Sequence, residues 1–581
     1  MRLRVGLVLI TMLLSLFGAR LFQLQGVDSS AYASRADASG LVTVELPAKR
    51  GRILDRNGVP LAESVAGSML VADPSRTAPD AEAIAKLMAA SLDLDYFDLL
   101  AKLSQKHSRF AYLARRVPST LAQTVVDQLR AKGYVGVDTE SDPLRYYPSK
   151  DVAANLVGFV NDAGKPGGGF EQSFNSILAG KNGKETYEVG GGNRIPLGDN
   201  SEVKPVDGKD LRLTIDRDVQ WYAQRALRTA VQSAKAKAGT AVVMDTRTGE
   251  VLAFADYPTF DANQPGKSPV GQLGATGLTD LYEPGSVEKV FTVSSLVDAH
   301  KVTPETRFRV PNQLQVSDRV IHDWFDHPLM NWTMAGVIAQ SSNIGTTMAA
   351  TQFSPTELWT YLNAFGLGRL TNVGVPGENR GLLPKPSTWT ALTRAQVSFG
   401  QGLGVTALQM ATGVNTVANG GTYVSPSLVE GRQTTSGGQT VGTATTTTHR
   451  VVSADAASKT AQMMEMVTTE GAGTAPGAGI AGYRVSGKTG TAQEVGGACR
   501  CYAQGGLAVS FVGFAPADKP RFTVYVVIKQ PGAGASGGGT AGPVFRRILN
   551  YVLQKYSVPP TGTTPAALPT QWGRGATLPH Q

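Results

Sequence analysis

Cysteine is nearly missing from this chain: Cys499 and Cys501 are the two among 581 residues, which excludes a disulfide scaffold and a cysteine-rich zinc module. Charge is sparse as well, at 17% of residues against roughly 25% in ordinary soluble domains. Acidic residues are the scarcer sign, which leaves a formal net charge of +9. That balance favours approach to polyanions without choosing among nucleic acid, anionic lipid and cell-wall polymer. No internal repeat is evident, and beyond the N-terminus there is no long hydrophobic run. What is plentiful is glycine (66) and proline (32) in a length that calls for several structural units, so a folded, turn-rich, multidomain protein is expected.

Arg2 and Arg4 precede an uncharged apolar run from Val5 to Ala19, which Leu21, Phe22 and Leu24 extend past Arg20. Residues 1–24 therefore read as a cytoplasmic tip and a single transmembrane anchor, with Arg20 snorkelling to the interface. A cleaved signal peptide is the other reading, because Ala31-Tyr32-Ala33 has the form of a cleavage site. Either way nearly all of the chain is expected outside the cytoplasm, which argues against a nucleic-acid partner.

Farther along, Lys49 to Gly58 is a basic, strand-like segment closed by Asn57-Gly58. Residues 78–132 carry helical spacing through Ile84, Leu87, Met88, Leu99, Leu100 and Leu103, and glycine clusters such as Gly167-Gly168-Gly169 read as flexible turns. A second unit starts near Asp210, with Asp216 placed to cap a helix. Strand pairs are expected around Thr246-Arg247-Thr248-Gly249 and Pro516 to Pro520, then a helix from Val544 to Tyr556. Gln433 to Thr448 reads as an exposed excursion and Pro559 to Gln581 as a disordered tail.

Three short motifs carry the chemistry: Ser286-Val287-Glu288-Lys289, Ser341-Ser342-Asn343 and Lys488-Thr489-Gly490-Thr491. Each is weak alone, and Ser201 to Lys204 repeats the first pattern without the rest. Their order, wide separation and context give the set its weight. Ser286 follows the breaker Glu283-Pro284-Gly285 and should open a buried helix, with Lys289 at i+3 on the same face. A serine hydroxyl needs a base, and a lysine that is desolvated at a helix N-terminus loses its proton more readily than usual. Ser341 offers a second hydroxyl for proton relay, and Asn343 an amide that can grip a peptide. Lys488-Thr489-Gly490-Thr491 sits on a strand whose glycines let a substrate backbone lie close, with Lys488 and the threonine hydroxyls placed for a carboxylate. The backbone N–H groups of Ser286 and Thr491 are candidates for an oxyanion hole.

S-x-x-K, S-x-N and K-T-G in this order resemble the penicillin-binding proteins and their β-lactamase kin. The anchor, Arg50 to Gly58, Gly169-Phe170-Glu171-Gln172, Met244 to Glu250 and Gly400 to Thr406 are similar to the class B, monofunctional branch, most like the septal FtsI-type transpeptidases. The resemblance implies a multidomain α+β protein: a non-catalytic, dimerisation-like pedestal over 25–207, a serine β-lactamase-like transpeptidase domain over 208–556 with a central antiparallel sheet and a helical lobe, and a tail over 557–581. It implies peptidoglycan D,D-transpeptidation at the plasma membrane, with no metal or organic cofactor. In it Ser286 is the nucleophile, Lys289 the base and Ser341 the relay, while Asn343, Lys488, Thr489, Gly490 and Thr491 hold the donor. Its implied partners are stem peptides, β-lactams, membrane lipid, a membrane glycosyltransferase and other division proteins. An elongation-type transpeptidase, a non-catalytic division scaffold and a β-lactamase or β-lactam sensor are the alternatives.

For Cys499 and Cys501, free thiols, an intermolecular link and a strained local disulfide all remain open, the last being favoured. His322 and His327 could suggest a metal, but a polar active-site loop is the better reading, with Trp324 and Phe325 along a groove.

Overall fold

A computed structural model describes residues 2–23, 41–105, 108–161, 163–190, 193–194, 200–494, 502 and 506–573. Cys499, Cys501, the Ala31-Tyr32-Ala33 site and the last eight residues of the tail lie outside them. The N-terminal apolar run forms helix α1 (Arg2–Phe22), with Leu7, Ile10, Leu13, Leu14 and Phe17 exposed. Among the described residues no helix is long and apolar enough to cross a membrane, so the anchor rests on the sequence and not on the structure.

The chain clusters into two units, each built from several stretches. The first takes Met1–Gly51, Ser64–Leu144 and Ala179–Lys209. Its compact part is a three-stranded antiparallel sheet with β1 (Gly67–Ala72) between β2 (Ala111–Pro118) and β3 (Val137–Ser141). Helices α2 (Ala81–Leu92), α3 (Tyr96–Leu103) and α4 (Ser119–Ala131) supply Ile84, Met88, Leu99, Leu103, Val125 and Leu129 to its core. The stretch 78–132 is thus not all helix. In β2, Ala111 and Leu113 are buried while Tyr112 between them is exposed, the period of two that a half-buried strand requires.

The second unit holds Arg52–Glu63, Arg145–Leu178 and everything from Asp210 onward. The expected pedestal over 25–207 is therefore not one contact unit, and the reason lies in two anchoring sets. Ile53-Leu54 pairs in parallel with Leu211-Arg212, and Arg52 binds the Asp210 carboxylate. The glycine-rich stretch read as flexible instead buries Phe170, Phe174 and Glu171, the last accepting from Arg145 Nε at 2.7 Å inside the core.

The second unit is organised on a five-stranded antiparallel sheet. Its elements are α5 (Arg217–Ser233), β4 (Ala238–Asp245), β5 (Val251–Tyr257), β8 (Ser486–Gln493), β9 (Leu507–Ala515), β10 (Phe522–Lys529) and α11 (Gly542–Lys555), in the strand order β5-β4-β10-β9-β8. Asp216 caps α5 as the sequence predicts, accepting from the backbone of Asp218 and Val219. Pleating sends alternate side chains to opposite faces. Gly239 of β4 lies against Leu227 and Val231 of α5, and Phe511 of β9 packs on Phe545 of α11. On the other face α9 (Ala407–Ala418), almost wholly buried, reaches β4 through Thr412 and Met244. A helical lobe continues from there: α6 (Lys289–Asp298), α7 (Met334–Ala339), α8 (Asn343–Ala350) and α10 (Ala454–Thr468). Between α6 and α7 the short strands β6 (Arg307–Val310) and β7 (Met330–Thr333) pair antiparallel.

Two further expectations change. The stretch Gln433 to Thr448 is not simply exposed, since it forms a small hairpin that buries Val441. The tail is ordered through residue 573: Tyr483 Oη donates to Val558 O, Trp572 Nε1 donates to Phe308 O, and Thr570 is buried. Composition alone signalled disorder there; the partners that order it are distant in sequence.

Candidate active site

Ser286 lies in a one-turn 3-10 segment, Gly285–Val287, that runs into α6. Gly285 has φ +54°, and a Cβ there would sit 2.7 Å from Thr491 O, so glycine lets this turn lie flat against the edge strand β8. Ser286 stays half-buried and lines a cleft of about 400 Å³ with Trp324, Ser341, Asn343, Thr489 and Thr491. The three motifs thus meet at one cleft, each delivered by a different element.

Lys289 is the first residue of α6 and is fully buried. The sequence spacing predicts it beside Ser286. The structure instead directs its Nζ to Ser341 O at 2.6 Å and Asn343 Oδ1 at 2.7 Å. Burial pulls its pKa down to about 7, against the opposing pull of Asp323 and Glu288. Among the described residues no carboxylate touches it, and the positive end of α6 adds to the cost of a charge there.

Ser341 follows α7 with φ +60°, a left-handed conformation that costs a non-glycine residue roughly 1–2 kcal/mol. It holds because both faces of the residue are engaged: its carbonyl takes the Lys289 bond, and its Oγ accepts from Lys488 Nζ at 2.8 Å. Ser342 caps α8, accepting from Gly345 N. Asn343 Nδ2 donates to His322 O, leaving its Oδ1 on Lys289.

Lys488 departs from its expected place. It is fully buried and does not line the cleft; Nζ reaches Ser341 Oγ and Thr489 O. Burial, and behind it the charge of Lys289, holds its pKa well below the usual lysine value. Thr489 and Thr491 line the cleft, with Lys488 behind Ser341.

Among the described residues strand β8 is an edge, and a hydrogen bond just past its end sets its phase. Glu494 N–H bonds Gly506 O, so along the same register Ala492 with Ala508, Gly490 with Ser510 and Lys488 with Val512 are the hydrogen-bonded pairs. Thr489 and Thr491 then turn their N–H and C=O groups away from β9, off the sheet. Thr491 N–H is therefore free to face a ligand, as an oxyanion donor must, and the outer edge can take an added extended chain. A Cβ on Gly490 would lie 2.3 Å from Ser510 Oγ and 2.9 Å from Val287, so only glycine lets this strand close on the turn that carries Ser286.

The loop after β6 supplies a residue that the sequence reading passed over. The Asp323 carboxylate is buried and accepts from Ser342 Oγ at 2.6 Å, Ile344 N at 3.0 Å and His327 Nε2 at 3.1 Å. His327 Nδ1 contacts Pro328 O, so both ring nitrogens are used in holding the loop. Trp324 lines the cleft and donates from Nε1 to Gln340 O, whereas Phe325 packs back among Trp324, His327 and Trp332. The flanking Asp and His in Ile321 to His327 were the available signal for Asp323. Thr474, whose hydroxyl meets Thr489 Oγ1 at 3.1 Å, had none.

The family model for the penicillin binding protein transpeptidase domain matches residues 239–550, and that for the penicillin-binding protein dimerisation domain matches residues 45–213. The chain is 35% identical to the penicillin-binding protein PbpB of Mycobacterium tuberculosis, over 96% of this chain and 85% of that one. To the peptidoglycan D,D-transpeptidase FtsI of Escherichia coli K12 it is 33% identical, over 94% and 90%. A crystal structure of penicillin binding protein 3 of M. tuberculosis with aztreonam superposes with a TM-score of 0.70 at 30% identity, covering 91% of this chain and all of that one.

Proposed function

Since the chain belongs to the class B penicillin-binding proteins, with a dimerisation and a transpeptidase domain, we propose that it is a serine peptidoglycan D,D-transpeptidase of septal cell-wall synthesis and a target of β-lactams. The observation that carries this reading is the buried Lys289, free of carboxylate contact among the described residues, at the junction of the three motifs.

In the proposed reaction Ser286 Oγ attacks the penultimate D-Ala carbonyl carbon of a donor stem peptide and its proton passes to neutral Lys289. The backbone N–H groups of Ser286 and Thr491 hold the oxyanion. As the C–N bond to the terminal D-Ala breaks, the proton held by Lys289 passes through Ser341 Oγ, itself bonded to Lys488 Nζ, to the leaving amine, and Lys289 is neutral again. An amine of a neighbouring stem then attacks the ester, loses its proton to the base, and frees Ser286. Asn343 and the outer edge of β8 bind the donor backbone, while Thr489 and Thr491 take its terminal carboxylate over Gly490.

The resemblance to the septal FtsI-type transpeptidases, with a relative that carries the name FtsI, supports the septal role over an elongation role. The uncharged run from Val5 to Ala19 behind Arg2 and Arg4 supports an anchor in the plasma membrane with the transpeptidase domain outside. On that reading a membrane glycosyltransferase supplies the glycan strands to be cross-linked. The test is intact mass of the chain with and without benzylpenicillin, beside Ser286→Ala. A lasting adduct of one drug mass that Ser286→Ala abolishes is expected. Rapid drug turnover without an adduct would move the protein to the β-lactamases, and an unreactive folded chain to the scaffolds.

A further inference from the structure

The segment after α11 does something its composition conceals. From residue 558 to 573 it runs as an extended strap over the second unit, and both of its ends are tied to elements that enter the active site.

At the near end Thr561 N donates to Gly482 O, and Arg484 N donates to Thr561 Oγ1. Arg484 also donates to Thr563 Oγ1 and pairs with Glu465 at 2.6 Å, and the same carboxylate accepts from Ala566 N. Gly482 and Arg484 lie just before β8, the strand that carries Lys488, Thr489 and Thr491.

At the far end the strap caps the other wall. Thr570 O accepts from Thr333 N, Pro569 O accepts from Thr333 Oγ1, and Gln571 bridges antiparallel to Trp332. Trp572 donates from N to Asn331 O and from Nε1 to Phe308 O, beneath the Arg307 guanidinium. Thr333 is itself the N-cap of α7, accepting from Gly336 N. Helix α7 has six residues, and the Ser341 and Ser342 amides hang from its carbonyls at Ile338 and Val337. So short a helix gains little from its own ladder and depends on what packs against its ends. The contact is close: a Cβ on Gly336 would lie 1.9 Å from Thr570 O.

We infer that residues 558–573 form a positioning strap, which ties the strand carrying Lys488-Thr489-Gly490 to the helix from which Ser341 hangs and so sets their separation across the cleft. The strap touches neither Ser286 nor the substrate, and its effect on acylation passes through α7 and β8. It rests on the transpeptidase reading of the cleft.

The test compares the full chain, a chain ending at Ser557, and full-length Gly336→Ala, which favours helix intrinsically yet cannot coexist with Thr570 O in its present place. Acylation by benzylpenicillin is followed as a rate constant separated into binding and chemical steps, well below the melting temperature of each variant. Both variants should acylate about 10- to 100-fold more slowly in the chemical step, the scale expected of a sub-ångström to 1 Å misplacement. Combining the two changes should cost no more than either alone, and a synthetic peptide of residues 558–573 should restore the truncated chain but not Gly336→Ala. Wild-type acylation in Gly336→Ala, with or without a lowered melting temperature, would overturn the strap, as would a truncated chain that acylates normally. If the full chain itself is not acylated, the reading of the cleft falls and the strap with it, a result distinct from equal rates in all three chains.

Discussion

The two walls of the cleft are built by different means. On the helical wall, the site lies in side chains: the buried Lys289 and the half-buried Asn343 bind each other, Lys289 holds the Ser341 carbonyl, and Asp323 locks Ser342 and α8. On the sheet wall it lies largely in the backbone of an edge strand, with Thr489 and Thr491 directing main-chain groups outward and Gly490 chosen for having no side chain. A wall built of side chains is broken by one truncation. A wall built of backbone tolerates changes in chemistry but not in volume.

The helical wall should therefore show the largest effect. Lys289→Ala removes the proposed base and leaves Asn343 Oδ1 and Ser341 O without their donor, so acylation should fall by about 10²–10⁴-fold. Stopped-flow or fluorescent-penicillin kinetics would show it, and a loss under tenfold would move the base elsewhere. The wild-type pH profile sharpens the point. Burial brings Lys289 down to about 7, so lowering the pH through that value adds the proton that disables it; acylation should fall towards tenfold per pH unit on the acid side and level off above. Stability follows the same sign. The unfolded chain keeps this proton up to the ordinary lysine value of 10.5 and the folded chain gives it up near 7, so this group's contribution rises with pH across that window.

On the sheet wall the larger effect should come from adding one carbon. In Gly490→Ala the new methyl meets Ser510 Oγ and Val287, and overpacking of this kind costs about 1–3 kcal/mol. Thermal unfolding should register the loss, together with slower acylation as β8 is pushed from the Ser286 turn. An unchanged melting temperature would mean that the strand yields without strain.

Much of the active site could be read in the sequence, because nucleophile, base and anchor strand occupy short local patterns whose order is informative. The breaker before Ser286 and the strand period around Lys488 are local properties, and the structure keeps both. What could not be read was partnership across long separations. The i, i+3 spacing puts Lys289 near Ser286, yet its bonds go to Ser341 and Asn343, which no helical spacing encodes. Lys488 reads as a cation for a carboxylate until the fold buries it behind Ser341. Phe170 and Glu171 sit in a glycine cluster that looks flexible until Arg145 and Tyr147 arrive. Strand β2 was hidden in a helical stretch because its alternation covers only a few residues between two true helices.

The smallest expected effect tests the backbone claim most directly. Thr489→Val keeps the shape and β-branching of the residue, and so the strand, while removing the hydroxyl that meets Thr474 and faces the cleft. One hydrogen bond of this sort is worth about 0.5–1.5 kcal/mol, so donor binding should weaken roughly two- to tenfold. The chemical step should be nearly unchanged, because the main-chain groups of Thr489 and Thr491 keep their places. If instead the chemical step fell as far as in Lys289→Ala, the hydroxyl would belong to the proton path and the sheet wall would be a side-chain wall like its partner. A change confined to binding would leave the two walls as different in mechanism as they are in construction.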